Sequence, residues 1–297
     1  NTAKAEVDEG LHFEKGSTST NSSMSYLARA ALNQVINQYA EKNDVSTDIA
    51  QTMIEGGGYK IYTTQDSTIQ SEMEDIYRNS DEHIFVGVAT DKEGNKLNDH
   101  TQSAMVVIDH KTGRVVGCMG GLGDDVDANG QNRATQSTRQ PGSAIKPILV
   151  YAPAINEDII SPCTQILDEP LTISGYSPQN HDGKFHGYVS VNQAIGKSLN
   201  IPAVKVMTYT KLDKSKKYAE NCGIEFDEKD DNYALALGGM TYGTNVKDLT
   251  GAYTSLANNG EYCKPKFIRY ITDSKGKIVY ISDQKTKKVF RDDTAFL

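Results

Sequence analysis

Residues 133–154 read RATQSTRQPGSAIKPILVYAPA, and the predicted fold is built around this stretch. From Ile145 to Ile155 the chain is almost entirely apolar, which predicts a helix buried in a core. Pro147 is compatible with such a helix only in its first turn, where its missing N–H costs no hydrogen bond. Ser143 and Lys146 therefore stand at the N-terminus of the predicted helix, three residues apart and on one face.

A serine three residues before a lysine is a candidate pair of nucleophile and base. A lysine in a partly desolvated cleft has a lowered pKa and is able to take the serine proton, and N–H groups at a helix N-terminus stabilise an oxyanion. The spacing recurs at Ser274/Lys277 and Ser282/Lys285, in or beside a predicted hairpin, and we interpret both pairs as solvated surface. On spacing alone, Ser143 is either a helix cap or a nucleophile.

A Ser-x-Asn pair would add a hydroxyl for proton relay and an amide for orienting a substrate. Three such pairs occur, which are Ser19/Asn21, Ser190/Asn192 and Ser198/Asn200. The first lies in a small, polar segment, and the second is expected to cap the helix that follows it. The third is expected in a turn before Ile201, where polar side chains are able to face a cleft. Spacing alone does not rank it above a plain turn.

The rest of the chain predicts helices and hairpins without βαβ alternation, which indicates the α+β class. The expected helices include one with Leu32 and Val35 on its apolar face, one with Thr47 as N-cap and one capped by Asp66. The expected hairpins span residues 104–119 and 267–282, each with a glycine in its turn. We predict that residues 1–57 form a tether and connector helices and that residues 58–297 form the main domain.

Charge and composition exclude several classes of function. The net charge is −8, from 31 basic and 39 acidic residues, which argues against non-specific binding of nucleic acids. The four cysteines are far apart without a C-x-x-C pair, and the six histidines have no zinc-ligand spacing, so no metal is implied. The acidic turn at 125–130 resembles the start of a calcium loop, but Gln136 stands where a bidentate carboxylate is needed. His181 and His186 bracket a loop that we expect to be solvated, or else to line a groove.

Several blocks of sequence, in order, resemble the transpeptidase domain of class A, bifunctional penicillin-binding proteins, whose motif set includes S-x-x-K. Residues 133–154 resemble the active-site segment of this family, and the similarity covers roughly residues 24–297. The other blocks are 56–70 (GGGYKIYTTQDSTIQ), 108–121 (IDHKTGRVVGCMGG), 176–180 (YSPQN), 194–206 (AIGKSLNIPAVKV) and 236–265 (ALGGMTYGTNVKDLTGAYTSLANNGEYCKP).

The resemblance implies an antiparallel sheet flanked by helices, with an all-helical subdomain, as in β-lactamases and transpeptidases. It implies that Ser143 attacks the carbonyl between two D-alanines of a peptidoglycan stem peptide, and that an amine of a neighbouring stem takes the acyl group. Lys146 is the implied base, Ser198 the proton relay to the leaving amine, and Asn200 the holder of the substrate amide. β-Lactams are implied to trap Ser143 as an ester. No cofactor is implied.

Two departures from the family pattern qualify this resemblance. The second motif is Ser-Leu-Asn, and Leu199 favours a transpeptidase over a class A β-lactamase. No Lys-Thr/Ser-Gly motif follows Asn200, and the one copy, Lys111-Thr112-Gly113, precedes the candidate nucleophile in a predicted turn. We therefore expect the C-terminal part of the fold to come from another segment. The alternatives are a D,D-carboxypeptidase or β-lactamase-like hydrolase and a non-catalytic penicillin sensor or scaffold.

The resemblance also implies a setting for the domain. Proteins of this class act at the extracellular face of the bacterial cytoplasmic membrane. We therefore expect a membrane anchor and a glycosyltransferase domain in the full-length protein. Within this chain no apolar run approaches the roughly 20 residues that a membrane-spanning helix needs.

Overall fold

A computed structural model of the chain describes residues 24–80, 102–122, 131–283 and 285–297, together with residues 84 and 93. Ser19/Asn21 and the acidic turn at 125–130 lie outside the described residues. The helices are α1 (Tyr26–Asn43), α2 (Thr47–Gly56), α3 (Ser67–Arg78), α4 (Arg133–Gln136), α5 (Ala152–Asn156), α6 (Val191–Gly196), α7 (Asn200–Thr210), α8 (Leu212–Asn221), α9 (Val246–Ala257) and α10 (Asp292–Phe296). Two 3-10 turns (Gly142–Ile145, Tyr233–Leu237) and a π-helical turn (Pro147–Tyr151) complete the helical segments.

The strands pair antiparallel in four small sheets. They are β1 (Lys60–Thr63), β2 (Met105–Asp109), β3 (Arg114–Met119), β4 (Gln165–Asp168), β5 (Gly187–Ser190), β6 (Glu261–Cys263), β7 (Ile268–Thr272), β8 (Ile278–Ile281) and β9 (Thr286–Lys288). One sheet has the order β1-β7-β8, and the others are the pairs β2-β3, β4-β5 and β6-β9. The predicted α+β class and both predicted hairpins are confirmed.

Local capping explains where the early helices begin. The carboxylate of Asp66 accepts hydrogen bonds from the N–H groups of Thr68 and Ile69, which confirms it as the cap of α3. The prediction of Thr47 as the cap of α2 is wrong by one residue, because Ser46 accepts the hydrogen bond from the Ile49 N–H. A serine in extended backbone geometry satisfies an otherwise orphaned donor, as capping requires.

The sequence reading missed several elements, and α7 matters most for the site. Ser198 and Asn200 were expected in a turn before Ile201, and no helix was predicted there. In the structure Asn200–Thr210 forms a helix with Pro202 in its first turn. Proline is tolerated there because the first N–H groups of a helix have no intrahelical partner. Helix α7 has apolar side chains on most of its circumference and is largely buried, so it lacks the polar face that marks an amphipathic helix in sequence.

Two apolar cores hold the described residues together. The larger core surrounds residues 145–155 and α7, and Ile145, Leu149 and Met207 are fully buried in it. The second core lies between α1, α3, the β2-β3 hairpin and β7. Among the described residues, no helix is long and apolar enough to cross a membrane.

Candidate active site

The segment that carries Ser143 combines three helical geometries where the sequence predicted one helix. Pro147 has no N–H to donate to the Ser143 carbonyl four residues earlier, and that carbonyl instead accepts from the Lys146 N–H in a 3-10 turn. Pro153 likewise cannot donate to Leu149, and the preceding turn is π-helical, with the Ala152 N–H bonded to the Pro147 carbonyl. The two prolines thus set the local geometry on either side of the buried turn.

Lys146 is enclosed by oxygen atoms from the second motif. The residue is only 3% exposed, and Nζ lies within hydrogen-bonding distance of the Ser198 carbonyl at 2.8 Å, Ser198 Oγ at 3.3 Å and the Leu199 carbonyl at 3.2 Å. The shortest of its four contacts, 2.7 Å, is to Asn200 Oδ1, and three N–H groups are shared among these acceptors. All four acceptors are uncharged, and burial lowers the pKa of Lys146 to about 8.

The turn between α6 and α7 aims these acceptors at the lysine. Ser198 has a positive φ of 52°, a conformation that costs a non-glycine residue roughly 1–2 kcal/mol. Its N–H is bonded to Ile195 and that of Leu199 to Ala194, at 2.9 Å each. These bonds close the end of α6 and fix the turn whose carbonyls, of Ser198 and Leu199, accept from Lys146.

Asn200 is held on its other side by Asn180. The Asn180 side chain is 5% exposed, and its Oδ1 accepts from the backbone N–H groups of Asn200 at 2.9 Å and Ile201 at 3.3 Å. Asn200 Nδ2 also donates to the Gln179 carbonyl at 2.7 Å. Asn180 was not among the predicted site residues, although it ends the Tyr-x-Pro-x-Asn block at 176–180.

Gly238 and Tyr253 hold the turn of Ser143. Gly238 has a φ of +83°, and a Cβ there would lie 2.4 Å from the Gly142 nitrogen, so the two backbones are in direct contact. Tyr253 on α9 donates from Oη to the Ala144 carbonyl at 2.7 Å. Burial raises the pKa of Tyr253, which keeps the phenol protonated and able to donate. Both residues lie in the block 236–265 that resembles the family, but neither was among the predicted site residues.

The structure thus brings Lys146, Ser198 and Asn200 into contact and places Ser143 one turn before the lysine. Ser143 is exposed at the surface, and its hydroxyl makes no hydrogen bond to any described residue. Lys111-Thr112-Gly113 lies in the β2-β3 turn. Ser190 caps α6 in a capping box with Gln193, as predicted.

One expectation about another polar residue was wrong. Ser282 was expected on the solvated surface but is 7% exposed, and its N–H continues the β7-β8 pairing with a bond to the Arg269 carbonyl. The loop that His181 and His186 bracket is exposed, as expected. The ring of His186 lies between two carboxylates, with Nδ1 2.8 Å from Asp168 Oδ2 and Nε2 3.1 Å from Asp182 Oδ2. The other histidine of that loop, His181, is exposed.

Comparison with known proteins places this geometry in a family. Residues 103–296 match the family model described as the penicillin-binding protein transpeptidase domain. The chain is 34% identical over 240 residues to penicillin-binding protein 1F of Bacillus subtilis, covering 81% of this chain and 31% of that protein. It is 29% identical over 301 residues to penicillin-binding protein 1A of Clostridium acetobutylicum, covering 97% of this chain and 36% of that protein. The chain therefore spans about a third of the length of these relatives.

A solved structure shares the fold. The PonA1 protein of Mycobacterium tuberculosis in complex with penicillin V superposes with a TM-score of 0.70 at 24% sequence identity, over 90% of this chain and 68% of that one. The resemblance predicted from the ordered sequence blocks is confirmed, and the matched region contains Ser143, Lys146, Ser198 and Asn200. The chain belongs to the penicillin-binding protein transpeptidase domain family.

Proposed function

We propose that this chain carries the acyl-transfer site of a peptidoglycan D,D-transpeptidase, with Ser143 as the nucleophile. The observation that carries the proposal is the state of Lys146, which is buried one turn after Ser143 and fixed by Ser198 and Asn200. Because burial lowers its pKa to about 8, the neutral amine is available near physiological pH. A base of that pKa is suited to take a serine proton.

Ser143, Lys146 and Ser198 are each assigned a role in the proposed reaction. Ser143 Oγ attacks the carbonyl carbon between two D-alanines, and the hydroxyl proton passes to Lys146 Nζ. When the tetrahedral intermediate collapses, the C–N bond breaks, Ser198 passes a proton to the departing amine of the terminal D-alanine, and Lys146 Nζ, 3.3 Å from Ser198 Oγ, passes on to Ser198 the proton it took from Ser143. The amine of a second stem peptide then attacks the Ser143 ester and loses a proton to Lys146 through Ser198. The ester C–O bond breaks as the cross-link forms, and Lys146 returns the proton to Ser143 Oγ.

The remaining roles follow from hydrogen-bonding capacity. The backbone N–H of Ser143 is proposed as one donor to the oxyanion. Asn200 uses one hydrogen of Nδ2 on Gln179 and one lone pair of Oδ1 on Lys146. A carboxamide has two of each, so Asn200 retains one donor and one acceptor for the substrate amide.

The same chemistry makes β-lactams ligands of this chain, because opening of the lactam by Ser143 would leave a stable ester. The relative solved with penicillin V supports this ligand class. We further propose that the full-length protein carries a membrane anchor and a glycosyltransferase domain. It would act at the extracellular face of the bacterial cytoplasmic membrane, and the remainder of the transpeptidase fold would come from another segment.

The test is labelling with a fluorescent penicillin, followed by mass spectrometry of the labelled peptides. We expect one adduct, on Ser143, which is lost in Ser143→Ala and retained in the matched control Ser274→Ala from the second Ser-x-x-Lys pair. An adduct on another residue contradicts the assignment of the nucleophile. Absence of any adduct contradicts acyl transfer by the residues of this chain alone, and rapid release of the label favours a hydrolase over a transpeptidase.

A further inference from the structure

A buried carboxylate lies behind the candidate site and has no role in the reaction proposed above. Asp168 is the last residue of β4, pairs across the strand with Gly187 of β5 and is 1% exposed. Its Oδ2 accepts hydrogen bonds from Asn180 Nδ2 at 2.8 Å and the His186 N–H at 3.0 Å, and it lies 2.8 Å from His186 Nδ1. Its Oδ1 is buried without a hydrogen bond to any described residue.

Asn180 connects this carboxylate to the site. Its Nδ2 donates to Asp168 Oδ2 and to the Lys184 carbonyl, each at 2.8 Å, while its Oδ1 accepts from the N–H groups of Asn200 and Ile201. All the hydrogen-bonding capacity of the Asn180 amide is therefore used. A flipped amide would turn its NH2 toward two N–H donors and its oxygen toward the Asp168 oxygen and the Lys184 carbonyl, so these acceptors and donors fix its orientation.

We propose that Asp168 is a positioning residue for the acyl-transfer reaction, acting through Asn180 and Asn200 on Lys146. Three hydrogen bonds form the path: Asp168 to Asn180 at 2.8 Å, Asn180 to the Asn200 N–H at 2.9 Å, and Asn200 Oδ1 to Lys146 Nζ at 2.7 Å. The first fixes the orientation of Asn180, the second holds the first turn of α7, and the last fixes the lysine. That Lys146 acts in acyl transfer rests on the proposed function, whereas the three hydrogen bonds do not depend on it.

The test measures the titration of Lys146 by NMR of 13C-labelled lysine, together with the rate of penicillin acylation. Asp168→Ala removes both oxygens that could accept from Asn180, whereas Asp168→Asn would keep one carbonyl acceptor. Asn200→Ala removes the acceptor on Lys146 directly. Losing a hydrogen bond to the charged ammonium lowers the pKa of the lysine, so both variants are expected to shift the Lys146 titration downward. Above pH 8, where Lys146 is mostly neutral in wild type and variant, acylation by Asp168→Ala is expected to slow about 10-fold or more, as small displacements of reacting groups do.

A double-mutant cycle separates positioning from the loss of a nearby charge. If Asp168 acts along the path, Asp168→Ala shifts the Lys146 titration in the wild-type background but adds nothing further in the Asn200→Ala background. The control is Asp182→Asn, at a carboxylate on the other side of His186 that has no hydrogen bond to Asn180 or Asn200. It is expected to leave the Lys146 titration unchanged and the acylation rate within about two-fold of wild type.

The outcomes distinguish this inference from the proposed function. An unchanged Lys146 titration in folded Asp168→Ala, or an equal shift in both backgrounds, overturns the positioning role even if Ser143 is acylated normally. The expected titration pattern in a protein that penicillin does not label supports the path and contradicts the proposed function. Should Asp168→Ala fail to fold, Asn180→Ala interrupts the same path one residue later and is read in the same way.

Discussion

A lysine side chain in water keeps its proton up to about pH 10.4, whereas Lys146 is buried with four uncharged acceptors around Nζ. Desolvation penalises the ammonium form more than these hydrogen bonds stabilise it, and its pKa falls to about 8. The pKa of Lys146 is thus set by the burial of one side chain and by the neighbours within hydrogen-bonding distance of it.

This residue-scale balance predicts the pH dependence of acylation. If neutral Lys146 is the base, the rate of penicillin acylation rises about tenfold per pH unit below pH 8 and becomes constant above it, because the protonated form cannot accept the Ser143 proton. Stopped-flow measurements across this range check the profile. Lys277→Gln, from the exposed Ser274/Lys277 pair, should leave it unchanged, and a flat wild-type profile would rule out Lys146 as the base.

At the scale of secondary-structure elements, the nucleophile turn depends on a contact between two glycines far apart in sequence. Gly238 ends the 3-10 turn Tyr233–Leu237 with a positive φ, and its backbone lies against Gly142 so closely that a side chain has no room. Gly276, in the β7-β8 turn, has a nearly equal φ of +82° but open space around it. Comparing a substitution at Gly238 with one at Gly276 therefore separates the free-energy cost of a positive φ from the cost of the contact with Gly142.

Gly238→Ala is expected to destabilise the protein by more than Gly276→Ala and to displace Ser143. The conformational cost, about 1–2 kcal/mol, is common to both variants, and only Gly238→Ala adds a clash with the backbone of Gly142. Thermal unfolding checks the stabilities, and penicillin labelling checks the site. Equal losses of stability together with normal labelling of Gly238→Ala would mean that this contact does not position the nucleophile turn.

At the scale of the whole molecule, the larger apolar core supports both halves of the site. Residues 145–155 and α7 pack in the same cluster, so the Ser143–Lys146 segment and the second motif are fixed relative to each other by shared burial. Met207 on α7 is fully buried in that cluster, whereas Met53 on α2 is 54% exposed.

Met207→Ala is expected to lower the free energy of unfolding by about 2–5 kcal/mol, the usual cost of removing a large buried side chain. Met53→Ala is expected to change it by no more than about 0.5 kcal/mol. Denaturant titrations of both variants give the two values on one scale. A loss for Met207→Ala as small as that for Met53→Ala would show that this core does not support the domain.

Local sequence predicted the elements whose signals lie within a few residues of each other. Pro147 placed Ser143 and Lys146 at the start of the buried segment, Asp66 marked the start of α3, and turn glycines marked both hairpins. The prediction failed for α7, because a helix buried on most sides has no polar face to give it a period. It also placed Ser282 on the surface, since nothing local indicated that its N–H continues the pairing with β7.

The sequence by itself therefore determined the identity of the candidate nucleophile and base, the α+β class and the family. The resemblance assigned Ser198 and Asn200 to the site, and the tertiary structure showed that both contact Lys146. Only the tertiary structure decided that Asn180 and Asp168 stand behind Asn200 and that Gly238 lies against Gly142. Capping and turn formation depend on neighbours along the chain, which a sequence displays directly. Contacts across tens of residues depend on how the cores pack, and no spacing along the chain records that packing.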